Sequence, residues 1–220
     1  RALPSAIKLI PRSEWDARFD EQEEQQSSLE HIFLRGGQLA FVNLDQNGYG
    51  DCWAFSTGHA IMLDRLKGNQ PLVRLNPHAT AVILRQLDGG WCGLSAKFAR
   101  EHGYAVDGNG EGQWPGHSRD SRNDTPALRA SMAAHKVTEE FVDLTRDVYD
   151  QNLTEDQLAT CLFNNQSGPV DFNWWGHSVC AARLVSWKPL SIWIWNSWGV
   201  WSMNGMGLLS GSKASADGMV

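Results

Sequence analysis

Residues 46–56 read Gln-Asn-Gly-Tyr-Gly-Asp-Cys-Trp-Ala-Phe-Ser and place Cys52 between a glycine-rich turn and an apolar helical run. A thiol at the start of a helix faces free backbone N–H groups and the positive end of the helix dipole. Both favour the thiolate, which is the form of cysteine that attacks carbonyl carbons. The stretch therefore predicts a nucleophilic cysteine.

Two later stretches can supply a base and a group that orients it. The first is Gly-His-Ser-Val at residues 176–179, and the second is Trp-Asn-Ser-Trp-Gly at residues 195–199. His177 lies 125 residues after Cys52, and Asn196 lies 144 residues after it. A cysteine followed by a histidine and an asparagine at such distances is typical of one class of thiol-dependent enzyme.

Together the three stretches resemble the papain/cathepsin family of cysteine peptidases. Gln46 precedes Cys52 at the family's spacing, the Cys-Trp-Ala-Phe-Ser run matches throughout, and the Asn-Ser-Trp-Gly block is also present. Residues 10–18 are similar to the mature N-terminal segment of such enzymes. The resemblance covers residues 40–68 and 168–210 well, and the middle of the chain only loosely.

The resemblance implies a catalytic site made by Cys52, His177, Asn196 and Gln46. His177 would hold Cys52 as a thiolate–imidazolium pair and later protonate the leaving amine. Asn196 would orient the imidazole, and Trp198 would shield that amide from water. Gln46 and the backbone N–H of Cys52 would stabilise the oxyanion. The implied reaction is acyl transfer through a thioester, completed by hydrolysis.

The same resemblance suggests substrate-binding positions at Trp198, Gly93 and Trp175. Residues 91–94, Trp-Cys-Gly-Leu, are similar in part to the Cys-x-Gly-Gly wall of the family's substrate cleft. Residues just before the histidine line the main specificity pocket in the family. Trp174 and Trp175 could therefore form a flat apolar wall there, or could block the cleft.

Two substitutions beside Cys52 depart from the family pattern. Tyr49 stands where the family usually has a cysteine that forms a disulfide, and Asp51 replaces a small residue. At the start of a helix the Asp51 carboxylate can cap, and it interacts favourably with the dipole. Beside a thiolate, the same charge raises the pKa of the thiol. Because solvent screens an exposed carboxylate, we expect attenuated activity and not its loss.

Composition excludes several classes of function. The chain has 220 residues and a formal net charge of −6, which argues against sequence-independent binding of nucleic acid. It contains no apolar run long enough to span a membrane. No metal site and no organic cofactor are implied, and the expected substrate is a protein or peptide. If Cys52 is the nucleophile, three of the four cysteines remain, which favours a soluble protein of a reducing compartment or a particle over a disulfide-dependent secreted one.

Local patterns predict an α+β protein with two packed lobes. The resemblance implies that this is the papain-like fold, in a single domain spanning residues 1–220, with a helical lobe and a β-barrel lobe. Residues 1–28 form an N-terminal arm, in which the acidic run at 20–28 is interpreted as a solvated surface loop. Residues 29–125 form a mainly helical lobe that carries Cys52. Residues 126–220 form a β-barrel lobe that carries His177 and Asn196.

The predicted helices and strands are spread over these two lobes. A helix is expected from Cys52 to Lys67, ended by Gly68, and another begins after Thr154 with a capping box. Further helices are expected at 77–87, 94–102 and 126–135. Strands are expected at 170–172, 178–185 and 191–195.

Three classes of function are compatible with these features. The first is a papain-like thiol peptidase, which we favour because Gln46, Cys52, His177 and Asn196 are all retained. The second is a structural or binding subunit of a larger assembly, such as a virion, that keeps the fold with little or no activity. The third is an amide acyltransferase or deamidase that uses the same cysteine and histidine.

Overall fold

The structure is a computed structural model, and it describes residues 7–30, 44–68, 70–137, 144, 153–199 and 205–220, with the side chains of 25–30 excepted. Parts of the two stretches that carry the family resemblance, residues 40–43 and 201–204, lie outside the described residues. The helices are α1 (Trp15–Glu30), α2 (Cys52–Lys67), α3 (His78–Ile83), α4 (Cys92–Glu101), α5 (Pro126–Met132) and α6 (Glu155–Phe163). The strands are β1 (Val106–Asp107), β2 (Gln113–Trp114), β3 (Gly168–Phe172), β4 (His177–Trp187), β5 (Leu190–Trp195), β6 (Met206–Ser210) and β7 (Gly218–Met219).

A helical part and an antiparallel sheet pack against each other, which confirms the predicted α+β class. The sheet has the order β6-β5-β4-β3-β7, and β1 pairs with β2 in a separate parallel pair. The strand pairings of the described residues leave this sheet open, without a pairing between β6 and β7 that would close the predicted barrel. Within the described residues, no helix is long and apolar enough to cross a membrane.

Helix α2 contacts α3, α4, β3 and β4, and most of its buried apolar side chains belong to a hydrophobic cluster shared by the helices and the sheet. Every residue from Trp53 to Leu63 is buried, because the helix is covered by other helices on one side and by the sheet on the other. This cluster also includes Leu128 and Met132 of α5. A second cluster joins the sheet to α6 and the N-terminal arm. The lobe boundary at residue 126 stays a prediction.

Several local predictions agree with the observed elements. Helix α2 begins at Cys52 and ends before Gly68, as predicted. Helix α6 begins with a capping box in which Thr154 Oγ1 accepts from Gln157 N at 3.2 Å and Gln157 Oε1 accepts from Thr154 N at 2.9 Å. Helix α3 is shorter than the predicted 77–87, because the backbone of Arg85 has a positive φ of 56°.

The prediction of a solvated loop at 20–28 is wrong, because these residues belong to α1. Glutamate and glutamine are good helix formers, so a run rich in both can extend a helix that tertiary contacts hold at one end. Here Trp15 supplies that contact, since its ring meets Phe163 edge-on at 5.8 Å and it is 2% exposed. Gln22 is also buried, and its side chain donates to the Leu162 carbonyl.

A buried histidine on α2 gives the stability of the protein a defined dependence on pH. His59 is fully buried and stacks on Trp195 with ring centroids 4.2 Å apart. Burial lowers the pKa of His59 to about 3. As the pH falls below 6.5, His59 is therefore protonated in the unfolded chain, whereas in the folded chain it stays neutral until the pH approaches about 3.

We expect His59 to destabilise the fold by about 2 kcal/mol when the pH falls from 7 to 5, since each unit of pKa difference corresponds to about 1.4 kcal/mol. The free energy of unfolding, measured with urea at both pH values, should fall by about that much more in the wild type than in His59→Phe. The matched control is His102→Phe, which replaces an exposed histidine. An equal pH dependence in wild type and His59→Phe would show that His59 titrates normally in the folded protein.

Candidate active site

The start of α2 and one end of the sheet bring the predicted catalytic residues together. Cys52 is the first residue of α2, and His177 is the first residue of β4. Asn196 directly follows β5, whose last residue Trp195 pairs with Cys180 of β4. Antiparallel pairing therefore places His177 and Asn196 at the same end of the sheet. Cys52 lies beside this end, because the backbone and side chain of Ser178, the residue after His177, oppose the rise in the pKa of its thiol.

A buried hydrogen bond joins His177 to Asn196. Their Nε2 and Oδ1 atoms are 2.7 Å apart, and Asn196 is fully buried. The backbone N–H of Ser197 donates to the same Oδ1 at 2.8 Å, so this atom is the amide oxygen. An amide oxygen only accepts, and Nε2 must therefore carry the proton. In a neutral ring this leaves the lone pair on Nδ1, which is the nitrogen that can act as a base.

Burial shifts both members of the proposed Cys52–His177 pair toward their neutral forms. It raises the pKa of the Cys52 thiol, an effect increased by the Asp171 carboxylate and opposed by hydrogen bonds from Ser178 and from the Trp53 backbone. It also lowers the pKa of His177, and the bond to Asn196 opposes this. No hydrogen bond joins Cys52 to His177 in the part of the chain that the structure describes. The sequence predicts a thiolate–imidazolium pair, whereas the structure favours a thiol and a neutral imidazole at rest.

Trp198 and Trp175 surround the His177 ring. Trp198 stacks on it with centroids 4.5 Å apart, and Trp175 meets it edge-on at 4.8 Å. The two indoles also meet each other at 5.2 Å. Trp198 is 40% exposed while Asn196 beneath it is fully buried, so the indole lies between the His177–Asn196 pair and solvent. Trp174 stacks on Trp175 and is also exposed, which places both tryptophans beside the histidine.

Gln46 lies in the turn before α2 and is fixed at both ends of its amide. Its Oε1 accepts from Ser197 Oγ at 2.6 Å, and its Nε2 donates to the Tyr49 carbonyl at 2.5 Å. An amide nitrogen carries two N–H groups, so one remains for another acceptor. Its backbone N–H also donates to the Ser197 carbonyl at 2.8 Å, which ties this turn to the Asn-Ser-Trp-Gly stretch.

Two glycines close to the predicted substrate-wall residue Gly93 lie beside the turn that precedes Cys52. Gly93 lies in the first turn of α4, whereas Gly89 and Gly90 run beside the Cys52 turn. Gly89 N donates to the Gly50 carbonyl at 2.7 Å. A Cβ atom on Gly90 would lie 2.6 Å from carbons of the Trp53 ring, so only glycine fits there. Gly93 as a substrate-binding residue stays a prediction.

The sequence analysis missed a group of polar side chains beneath Cys52. Asp171 of β3 faces Ser178 across the β3–β4 pairing, and the Ser178 hydroxyl donates to Asp171 Oδ1. Cys92 Sγ donates to the same oxygen at 3.0 Å. Together with its burial, this carboxylate raises the pKa of the Cys92 thiol well above that of an ordinary cysteine. The available signal was an aspartate inside an otherwise apolar strand, Val170-Asp171-Phe172.

The expectation that Asp51 is exposed and caps α2 is wrong. Asp51 is fully buried, and its side chain makes no capping hydrogen bond. It accepts instead from Arg119 Nη1 at 2.5 Å and lies 2.8 Å from His78 Nδ1. A buried carboxylate is stable only with such partners, and they come from distant parts of the chain.

Solved structures identify the fold. The chain is similar to the digestive procathepsin L 3 of the Tenebrio molitor larval midgut, with 16% identity and a TM-score of 0.55 over 79% of this chain and 64% of that one. The fold is papain-like. A structure concerning the mite allergens Blo t 1 and Der p 1 matches with 14% identity and a TM-score of 0.58 over 78% of this chain and 62% of that one.

A bacterial protein shows the same similarity. Xylellain, a cysteine protease from Xylella fastidiosa, matches with 18% identity and a TM-score of 0.52 over 75% of this chain and 74% of that one. All three of these solved structures are of papain-like cysteine proteases. This chain spans less than two thirds of the length of the first two, the procathepsin and the mite allergen. The sequence matches no protein-family model and no curated protein. At such identities the comparison shows the fold and leaves the activity to be tested.

We expect Asn196→Ala to lower the pKa of His177 further, because the hydrogen bond from the ring to Asn196 favours the charged imidazole. Titration of the His177 ring protons by nuclear magnetic resonance measures this shift. The control is Asn109→Ala, which removes an exposed amide. An unchanged His177 titration in Asn196→Ala would show that the bond is not made in solution.

Proposed function

We propose that this protein is a thiol-dependent peptidase that hydrolyses peptide bonds through Cys52, His177 and Asn196. The observation that carries the proposal is the buried hydrogen bond from His177 Nε2 to Asn196, which leaves Nδ1 as a base at the end of the sheet where Ser178 contacts Cys52. The papain-like fold of the chain supports the same chemistry.

The proposed reaction starts from the neutral pair. His177 Nδ1 takes the proton of the Cys52 thiol as the sulfur attacks the peptide carbonyl, so that the S–C bond forms and the carbonyl oxygen becomes an anion. The free amide N–H of Gln46 and the backbone N–H of Cys52, at the start of α2, would stabilise this oxyanion. When the C–N bond breaks, the imidazolium gives its proton to the leaving amine. Water then attacks the thioester with His177 again as base, which releases the acid and the thiol.

A catalytically weak subunit of a larger assembly is the second candidate. Two observations favour it: Cys52 and His177 make no hydrogen bond within the described residues, and Trp175 and Trp198 crowd the His177 ring. In that case the partner would be another chain of the assembly, bound over the exposed indoles. The experiment below separates the two candidates.

Intact mass spectrometry after treatment with a peptidyl epoxide tests the peptidase directly. We expect one adduct on the wild type, because Cys52 Sγ opens the epoxide while the ring oxygen takes up a proton. Cys52→Ala should form none, and His177→Ala should form it much more slowly than the control His102→Ala. If wild type reacts with iodoacetamide at Cys52 but not with the peptidyl reagent, the cleft does not admit peptides and the assembly subunit is the better interpretation.

Gln46→Ala tests the oxyanion site. We expect kcat for a peptide substrate to fall about 10²–10³-fold, as for the loss of one oxyanion donor in another acyl-transfer enzyme, with a smaller change in KM. The matched control is Gln166→Ala, which removes the side chain of an exposed glutamine. A loss in KM alone would mean that Gln46 contributes to substrate binding and not to the transition state.

A further inference from the structure

A buried ion pair lies directly beside Cys52. Asp51, the residue before the proposed nucleophile, is fully buried and pairs with Arg119, whose side chain is 18% exposed. His78 contacts the same carboxylate oxygen, and its other ring nitrogen lies 3.1 Å from His117 Nδ1. The proposed mechanism uses none of these side chains.

Arg119 contacts three residues of two separate segments. Besides Asp51, its Nη2 donates to the Leu87 carbonyl at 2.8 Å, and its guanidinium carbon lies 4.4 Å from the centre of the Tyr49 ring. The two segments that Arg119 contacts are already adjacent, since Gly50 of one pairs with Asp88 of the other. Arg119 therefore bridges the junction between the turn that precedes Cys52 and the segment that runs beside it.

This turn positions the proposed oxyanion donor as well as the nucleophile. Gln46 Nε2 donates to the Tyr49 carbonyl, and Tyr49 N donates to the Gln46 carbonyl at 3.0 Å. The Asp51 carbonyl accepts the first backbone hydrogen bonds of α2, from Ala54 and Phe55. A shift of Tyr49 or Asp51 would consequently move the Gln46 amide and the Cys52 sulfur together.

Stability alone does not account for this ion pair. Removing two charges from water costs about as much as their attraction returns, and a buried pair is weak evidence for a stabilising role. The Asp51 Oδ1 atom is buried without a hydrogen-bond partner in the described residues, which adds to that cost. What the pair supplies is a neutralised carboxylate beside a cysteine and a fixed geometry of the turn.

We propose that Arg119 is a positioning residue of the Cys52 site, which neutralises Asp51 and ties the Tyr49–Asp51 turn to Leu87. Its effect on hydrolysis rests on the proposed peptidase function, but its effect on the thiol does not. Without Arg119, the Asp51 carboxylate would keep its contact with the His78 ring but lose the guanidinium, and its negative charge next to Cys52 would disfavour the thiolate. Asp171 of β3, His177 of β4 and Cys92 of α4 are further titratable groups at this site, and His78 and His117 lie on the Asp51 side of it. All five remain in every variant.

The test is the rate of alkylation of Cys52 by iodoacetamide as a function of pH, with the modified residue assigned by peptide mass spectrometry. We expect Arg119→Met to react about tenfold more slowly near neutral pH, with the midpoint of its pH profile about one unit higher, as for a nearby like charge. The double variant Asp51→Asn/Arg119→Met should return to the wild-type midpoint, because the carboxylate is gone. Arg122→Met, which removes an arginine with an 89% exposed side chain that pairs with Asp120, is the matched control and should equal the wild type.

Arg119→Lys separates charge from geometry and also serves if Arg119→Met does not fold. A lysine keeps the charge but has no planar fork to reach Asp51 and Leu87 at once. We expect it to keep the wild-type midpoint and, if the wild type hydrolyses peptides, to lower kcat with little change in KM. A wild-type midpoint in Arg119→Met, or a shifted midpoint that persists in the double variant, would overturn the proposal. If the wild type hydrolyses no peptide, the proposed function fails while the alkylation profiles still decide the role of Arg119.

Discussion

The burial of α2 on both sides is the constraint on which the rest of the site depends. Its neighbours hold even its backbone, since Tyr104 Oη donates to the Ala54 carbonyl at 2.9 Å and Ser95 Oγ donates to the Trp53 carbonyl at 2.9 Å. A helix held in this way cannot turn or slide without breaking buried hydrogen bonds, each costly to leave unmade. The position of Cys52 is therefore determined by the core together with the turn before it, whose Asp51 carbonyl accepts the first backbone hydrogen bonds of α2.

The same burial makes partners necessary for the two carboxylates near Cys52. Asp51 is matched by Arg119, and Asp171 accepts from Cys92 and Ser178. These contacts are noncovalent, and all four cysteines are free thiols. In the family that the sequence resembles, the position of Tyr49 usually holds a cysteine in a disulfide. Here the Tyr49 ring lies under the Arg119 guanidinium, so a cation–π contact and an ion pair hold the turn at a similar place.

The sequence predicted those features that are encoded locally. Helix α2, its end at Gly68 and the capping box at Thr154 depend on residues within a few positions of each other, and all three are observed. The prediction that His177 and Asn196 share a site with Cys52 is of a different kind. It rested on their spacing from Cys52 together with the fold of the family that the sequence resembles. The open sheet order, by contrast, depends on pairings between strands far apart in the chain, such as that of β3 with β7.

Features that depend on distant partners could not be predicted in this way. Asp51 was expected as an exposed, screened carboxylate at the start of α2, whereas its partner Arg119 is 68 residues away. The contact between Cys92 and Asp171 spans 79 residues. The run at 20–28 looked like a loop because its charges exclude it from a core. It forms a helix because Trp15 anchors one end, a contact visible only once α6 is in place.

The partial burial of Cys52 changes what the cysteine must do. Burial raises the pKa of its thiol and so disfavours the thiolate before a substrate binds, and a thiol that stays protonated is also less open to oxidation. In the proposed reaction, a bound substrate that displaces the remaining water would strengthen the interaction of the oxyanion with the Gln46 amide and the α2 N-terminus. Because Asn196 fixes the proton on Nε2, the Nδ1 lone pair is available from the start to accept the thiol proton. The arrangement therefore suits transfer of that proton to Nδ1 while the sulfur attacks the carbonyl. In the proposed reaction the negative charge then forms on the carbonyl oxygen, where two N–H groups would stabilise it.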